Sequence, residues 1–148
     1  RYLTHFTGDR HLAEDLTSAA FERALRDWNR FDPDKGSARV WLIEVSRRVA
    51  LDHFRGEKRR RRRDTNWAAR EPETAPAPET EVPDSRLRDA LSRLSRAERE
   101  LIALRVVLEF DTAETARIAG ASPTGVSSSL HRALGKLRRE MEADDAPA

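Results

Sequence analysis

Apolar residues recur at intervals of three and four in both halves of this chain, the spacing of amphipathic helices. Between Arg10 and Arg30 the positions are Leu12, Leu16, Ala19, Ala20, Phe21, Ala24, Leu25 and Trp28, with Asp9 placed to cap the first turn. Asn29–Gly36 (NRFDPDKG) reads as a tight loop, because Asp-Pro starts a turn and Gly ends one. Ser37 then caps a second, long helix that meets no breaker before Gly56. Trp41, Leu42, Val45 and Val49 fall on one side of it and Val40, Ile43, Ala50, Leu51 and Phe54 around the other. Neighbours must bury most of this helix, leaving a narrow polar stripe of Glu44, Arg48 and Arg55 with Arg47 and Asp52 at its margins.

The pattern lapses between Asp64 and Asp84, where Pro72, Pro76, Pro78 and Pro83 alternate with Glu71, Glu73, Glu79 and Glu81. Such a segment reads as an extended linker with a reach on the order of 60 Å, or as a spacer without further role. Helices resume at Ser85, with Leu87, Ala90, Leu91 and Leu94 on one stripe. Ser95–Glu98 has capping-box spacing, followed by Leu101, Ile102, Leu104, Val106 and Leu108. Asp111–Glu114 is a second box opening a short helix that ends at Gly120, and Ser122-Pro123 starts another. In that last helix Val126, Leu130, Ala133, Leu134, Leu137 and Met141 are expected to face inward, and the acidic tail after Glu142 to fray.

Composition makes the prediction all-α: glycine and aromatics are few, and with 38% hydrophobic against 36% charged residues two small helical domains are expected instead of one large core. Charge is partitioned. Residues 1–63 hold 16 Lys/Arg against 10 Asp/Glu, a net of +6; residues 64–85 hold 1 against 6, a net of −5; the remainder carries +1. The absence of Cys excludes disulfides and thiolate metal sites, and His5, His11, His53 and His131 lack metal-ligand spacing, so no metal or cofactor is expected. No run approaches the roughly 18 to 20 apolar residues of a membrane span, so no membrane insertion is expected and a reducing, cytoplasmic setting fits. Because Arg1 stands first and Tyr2, Leu3 and Phe6 already form a stripe, a preceding segment is expected to have been cut off or left out.

The most specific chemical pattern is 111–138. A short helix, a turn at Gly120 and a second helix make a helix-turn-helix unit, with Ala116, Gly120 and Val126 small, turning and branched where that unit needs them. The outward face of the second helix holds Thr124, Ser128, Ser129, Arg132 and Lys136, with Ser127 and His131 flanking and Ser122 at its cap, groups that hydrogen-bond bases or phosphates in a major groove; the competing reading is a solvated helix face. The six cations Lys58–Arg63 attract phosphate with little sequence preference, though such runs also serve as localisation signals or solvated tails. Trp41 is core by default and, beside an arginine stripe, a candidate stacking surface for an unpaired base. No nucleophile accompanies a base and an orienting group, and there is no phosphate-cradling glycine loop, so the chain is not expected to be an enzyme.

In order and spacing, TGDRHLAEDLTSAAFERAL (7–25), RFDPDKGSARVWLIEVSRRVALDHFR (30–55), LRDALSRLSRAERELIALR (87–105) and ETARIAGASPTGVSSSLHRALGKLRRE (114–140) resemble the extracytoplasmic-function sigma factors, the small branch of bacterial sigma factors. The resemblance covers nearly the whole chain. It implies region two at 1–63 with its first helix truncated, an acidic linker at 64–85 and region four at 86–148. It implies a dissociable promoter-specificity subunit of RNA polymerase, nucleoid-associated when in holoenzyme. Glu14, Asp15, Leu16, Ser18, Phe21 and Arg23 would dock on the beta-prime clamp helices, and region four would lean on the beta flap. Phe31, Asp32, Asp34, Lys35, Ser37, Arg39 and Trp41 would hold the minus-ten element and an unpaired base, with Glu44, Arg47, Arg48, Arg55, Lys58 and Arg59 at the duplex edge. Ser122 to Lys136 would read the minus-thirty-five element, and the linker would thread toward the RNA exit path. The family's habit implies an anti-sigma partner.

Three departures are informative. Ser18 and Ala19 replace the Gln-Glu of many relatives, Ser127 and Ser129 stand where Lys and Arg are frequent, and Val40-Trp41 offers one aromatic where housekeeping relatives pair two. Promoter melting would then rest on a single aromatic and favour a narrow promoter set. Two other classes remain: a free-standing helix-turn-helix regulator, which leaves 10–63 unexplained, and an RNA- or membrane-surface-binding basic protein, which explains only Lys58–Arg63.

Overall fold

The computed structural model describes residues 1–64 and 85–143. The predicted linker, apart from its end residues Asp64 and Ser85, and the end of the acidic tail lie outside them. Seven α-helices, with no strand among the described residues, follow in order: α1 (Tyr2–Thr7), α2 (Arg10–Arg26), α3 (Ala38–Asp64), α4 (Ser85–Ser92), α5 (Arg96–Ile102), α6 (Thr112–Ala119) and α7 (Pro123–Ala143).

Caps fall where the sequence places them. Asp9 accepts the Leu12 N–H at 3.0 Å, and the Ser37 hydroxyl accepts that of Val40 at 3.2 Å. The two capping boxes, Ser95–Glu98 and Asp111–Glu114, each close with both reciprocal bonds. Each such cap contributes about 1 kcal/mol. Gly120 takes the left-handed conformation (φ 65°) that ends α6 and turns the chain into α7.

Four local expectations change. α2 stops at Arg26 and the chain tightens into a 3-10 turn at Trp28–Arg30, which takes Trp28 off the helix and leaves it 57% exposed; on α2 itself Phe21 and Leu25 face outward, 53% and 77% exposed. Helix α3 continues through Gly56, and the cations Lys58–Arg63 ride on its last turns. A single Gly costs a helix only about 1 kcal/mol, which the continuing ladder offsets. After α5 the chain widens into a π-turn at Ala103–Val107 that turns Val106 outward and drops Phe110 into the core. Leu134, expected inward on α7, is 41% exposed.

The two ends of the chain share one core. Tyr2, Leu3 and Phe6 of α1, Ala13 and Leu16 of α2 and Val40 and Ala50 of α3 form a single buried cluster with Leu104, Phe110 and Ile118. Helix α1 therefore lies between α2–α3 and α5. Phe6 stacks on Tyr2 (5.6 Å) and tilts against Phe54, and the Arg96 guanidinium lies over both Phe54 (3.7 Å) and Phe6 (5.9 Å). Two smaller clusters hold the second half together: Leu94, Ile102 and Ala133 join α4, α5 and α7, and Leu101, Ala116 and Val126 seat α6 and α7 on α5.

Because Leu104 is fully buried in the shared cluster, Leu104→Ala is expected to lower stability by about 2–5 kcal/mol in urea denaturation. The chain should still unfold in one transition followed alike by both halves. Two separate transitions in the unsubstituted chain would contradict a shared core.

Candidate nucleic-acid and polymerase interfaces

The loop before α3 is built by local bonds. Asp32 caps a 3-10 turn at Pro33–Lys35, accepting the Asp34 N–H at 3.1 Å and pairing with Lys35 at 3.1 Å. The Lys35 ammonium, helped by the Asp34 amide, holds the Asp32 carboxyl below its usual range. Phe31, half-buried, stacks on Trp28 (5.3 Å) and tilts against Trp41 (5.6 Å), while Trp28 meets Trp41 edge-on (5.8 Å). Three rings thus stand behind a loop edge that exposes Asp34, Lys35, Ser37 and Arg39.

The polar stripe of α3 is divided. Arg48, Arg55, Lys58 and Arg59 are exposed, Arg55 pairing with Asp52 at 3.1 Å. Glu44 and Arg47 instead meet the second half of the chain. Arg117 of α6 donates through Nε and Nη2 to both Glu44 oxygens, at 2.6 and 3.3 Å. Gly36 takes a positive φ (146°) that favours glycine, and a Cβ there would stand 2.6 Å from Arg117 Nη1, so a larger residue would also move this guanidinium. Arg47 Nε donates to Glu100 Oε1 at 2.8 Å, and the Tyr2 hydroxyl donates to the same oxygen at 2.6 Å. Glu100 is 3% exposed. Burial first, then the charge and hydrogen bond of Glu100, push the Tyr2 phenol far above its usual range, so it stays a donor. Arg39 donates to the Leu108 carbonyl at 2.5 Å and lies over the Phe110 ring at 4.3 Å. A cleft of about 530 Å³ remains along this seam, between Arg47, Glu100, Leu101, Ser122, Val126 and Arg132.

The helix-turn-helix face is open. Ser122, Thr124, Ser127, Ser128, His131 and Arg132 are exposed; Ser129 and Lys136 are half-buried. Part of their hydrogen-bonding capacity is internal: the Ser122 hydroxyl accepts the Gly125 N–H, Ser127 donates to the Pro123 carbonyl, Arg132 to Ser129, and Lys136 to Glu98. On α2, Glu14, Asp15, Ser18 and Phe21 face solvent, whereas Leu16 is buried in the core and Arg23 pairs with Asp27 at 2.5 Å. Among the described residues there is no group of three acidic, His or Cys side chains arranged for a metal, and no helix is long and apolar enough to cross a membrane.

Comparison with known proteins matches residues 1–60 to Sigma-70 region 2 and residues 84–137 to Sigma-70, region 4. The RNA polymerase sigma-E factor of Streptomyces antibioticus is 33% identical across 92% of this chain and 74% of its own length. The ECF RNA polymerase sigma factor BldN of Streptomyces coelicolor is 32% identical across 97% of this chain. This chain belongs to the extracytoplasmic-function sigma factors. It spans 56% of the length of BldN. Its fold is that of the sigma factor RpoE in complex with the anti-sigma factor NepR from Bartonella quintana, with a TM-score of 0.78 at 21% identity over 97% of this chain and 89% of that one. CnrH in complex with the cytosolic domain of CnrY gives 0.67 at 22% identity, over 97% and 80%.

Within this sigma factor, sequence reasoning missed Tyr2, Trp28, Glu100 and Arg117 as parts of the site. Glu100 had a signal: it lies three residues after Ala97 and four before Leu104, an acid inside an apolar stripe. Arg117 and Tyr2 had none, since their partners lie 73 and 98 positions away.

Removing Arg47 leaves a buried carboxylate with only a phenol for a partner. Arg47→Ala is expected to cost about 2–3 kcal/mol, less than a fully buried pair because Arg47 keeps some contact with water. Adding Glu100→Gln should recover part of that loss in a double-mutant cycle by urea denaturation; additive costs would show that the pair is not coupled.

Proposed function

We propose that this sigma factor is a promoter-specificity subunit that binds core RNA polymerase, recognises minus-ten and minus-thirty-five elements and helps open DNA, the chemistry of transcription belonging to the polymerase. One observation carries the reading: the chain holds two exposed polar surfaces of different kinds. An open helix-turn-helix face suits duplex DNA, and a rigid loop backed by Phe31 and Trp41 suits an unpaired base. On this reading 1–63 and 86–148 are the two promoter-reading units, joined through 64–85. Arg48, Arg55, Lys58 and Arg59 meet the phosphate backbone. Glu14, Asp15, Ser18 and Phe21 offer an exposed docking face for the clamp helices, with Leu16 supporting it from the core and Arg23 held by Asp27. A free-standing helix-turn-helix regulator would leave the loop and the α2 face unused.

The packed arrangement is, on this reading, the form of the chain away from polymerase and promoter DNA. Glu44, Arg47 and Arg39 serve as closing contacts in it, so productive engagement requires α3 to part from α5 and α6. The proposal extends to an inhibitory partner, since RpoE is seen with the anti-sigma factor NepR and CnrH with the cytosolic domain of CnrY. It places the chain in the cytoplasm, on the nucleoid when in holoenzyme.

Run-off transcription from a genomic promoter library is expected to require both core polymerase and this chain. Tight sequence-specific binding of duplex promoter DNA by the isolated chain would instead favour the free-standing regulator. Replacing the exposed Arg48 and Arg55 by Ala should reduce open-complex formation about tenfold or more and leave core polymerase affinity within about twofold, as expected when about two phosphate contacts are lost. Equal loss of both properties would remove these arginines from the promoter edge.

A further inference from the structure

The aromatic set beside the Phe31–Ser37 loop contains a ring to which the functional reading gives no role. Trp28 is 57% exposed, yet it is held on two sides, with Phe31 stacked at an interplanar angle of 29° and Trp41 across it at 78°. The Phe31 amide donates to the Trp28 carbonyl at 3.0 Å, closing the turn that fixes this geometry. An indole positioned in this way has one face occupied and the remainder open to solvent, and it loses little rotamer freedom when something stacks on it.

The charges around the ring favour a polyanion. Arg26 and Arg30 lie two residues to either side, both exposed and outside any ion pair among the described residues. The third cation of the turn, Arg23, is taken by Asp27; this bond, with burial opposing it and the Arg30 and Arg26 charges adding to it, holds the Asp27 carboxyl below its usual range. An exposed aromatic ring flanked along the chain by two exposed arginines outside any ion pair suits stacking of a base while its neighbouring phosphates are neutralised. The apolar ridge of Phe21 and Leu25 on α2 offers a competing continuation toward a protein partner. Trp28 leaves that ridge because α2 ends at Arg26, and its ring contacts are with Phe31 and Trp41.

We propose that Trp28 is a stacking platform for an unpaired base of the non-template promoter strand, adjoining the Phe31–Ser37 loop. The proposal rests on the promoter-reading role above and adds a second aromatic to Trp41, so base capture would not depend on one ring.

The test uses holoenzyme assembled from the full chain and core polymerase, with fork-junction DNA carrying the non-template strand of a promoter selected by that holoenzyme. Trp28→Ala and Trp28→Leu are expected to weaken fork binding about tenfold, the loss of one base–aromatic stack, with Trp28→Phe within about twofold of the parent. Core polymerase affinity should stay within about twofold in all three variants, and a scan of abasic positions should find one base whose removal weakens the parent but not Trp28→Ala. Parent-like binding by Trp28→Leu would mean that the residue only supports the loop, and loss of polymerase affinity would assign it to the α2 ridge; either result, or a scan with no Trp28-dependent position, overturns the proposal. Failure of the parent holoenzyme to prefer any fork sequence would instead overturn the promoter-reading role itself.

Discussion

A carboxylate taken out of water is the constraint on which this arrangement of the chain depends. Glu100 sits on the apolar side of α5, and its charge must be met where it is buried. The partners come from the far end of the sequence: the Tyr2 hydroxyl from α1 and Arg47 from α3 converge on one oxygen. Neither partner is placed unless α1 lies between α3 and α5, which is also what lets Phe6 and Leu104 enter a common core. The polar contact selects the register, and burial of the aromatic and aliphatic side chains around it supplies most of the stability.

That joint has a consequence for the promoter-reading surfaces. Arg47 closes on Glu100, Glu44 on Arg117 and Arg39 on Leu108 and Phe110, while the outward face of the helix-turn-helix remains open. On the proposed reading, the upstream reader is available in the packed form and the downstream reader is partly occupied by its own chain. The surface pairs at the rim are weak in water and easily exchanged for phosphate, whereas the Glu100 site is protected from solvent. The seam is also incompletely filled, since the cleft beside Arg47 and Arg132 leaves it open to water. A joint of this kind separates when another polyanion and another docking surface compete for its members.

Much of this was legible in the sequence, where the governing interactions are local. The caps at Asp9, Ser37, Ser95 and Asp111, the left-handed Gly120 and the order of the helices follow from spacing of a few residues. The exposed serine-rich face of α7 follows from the same periodicity. What was not legible depends on distance along the chain or on where a helix stops. The end of α2 at Arg26, which takes Trp28 off the helix, is decided by competition with the 3-10 turn and not by any breaker. The π-turn after α5 reflects the demand that Phe110 reach the core, and Gly36 reads as a simple turn glycine until Arg117 arrives beside it. The pairing of Glu100 with Tyr2 and Arg47 combines residues that no periodicity links.

On the proposed reading, the contacts closing the two halves are released when the chain engages polymerase. The absence of native Cys makes a direct distance measurement available. Spin labels at Glu22→Cys on α2 and Arg139→Cys on α7, both exposed, report the separation of the halves without touching the joint. The account predicts a single short distance in the free chain that lengthens and loses its short component on binding core polymerase; an unchanged distance in holoenzyme would contradict it.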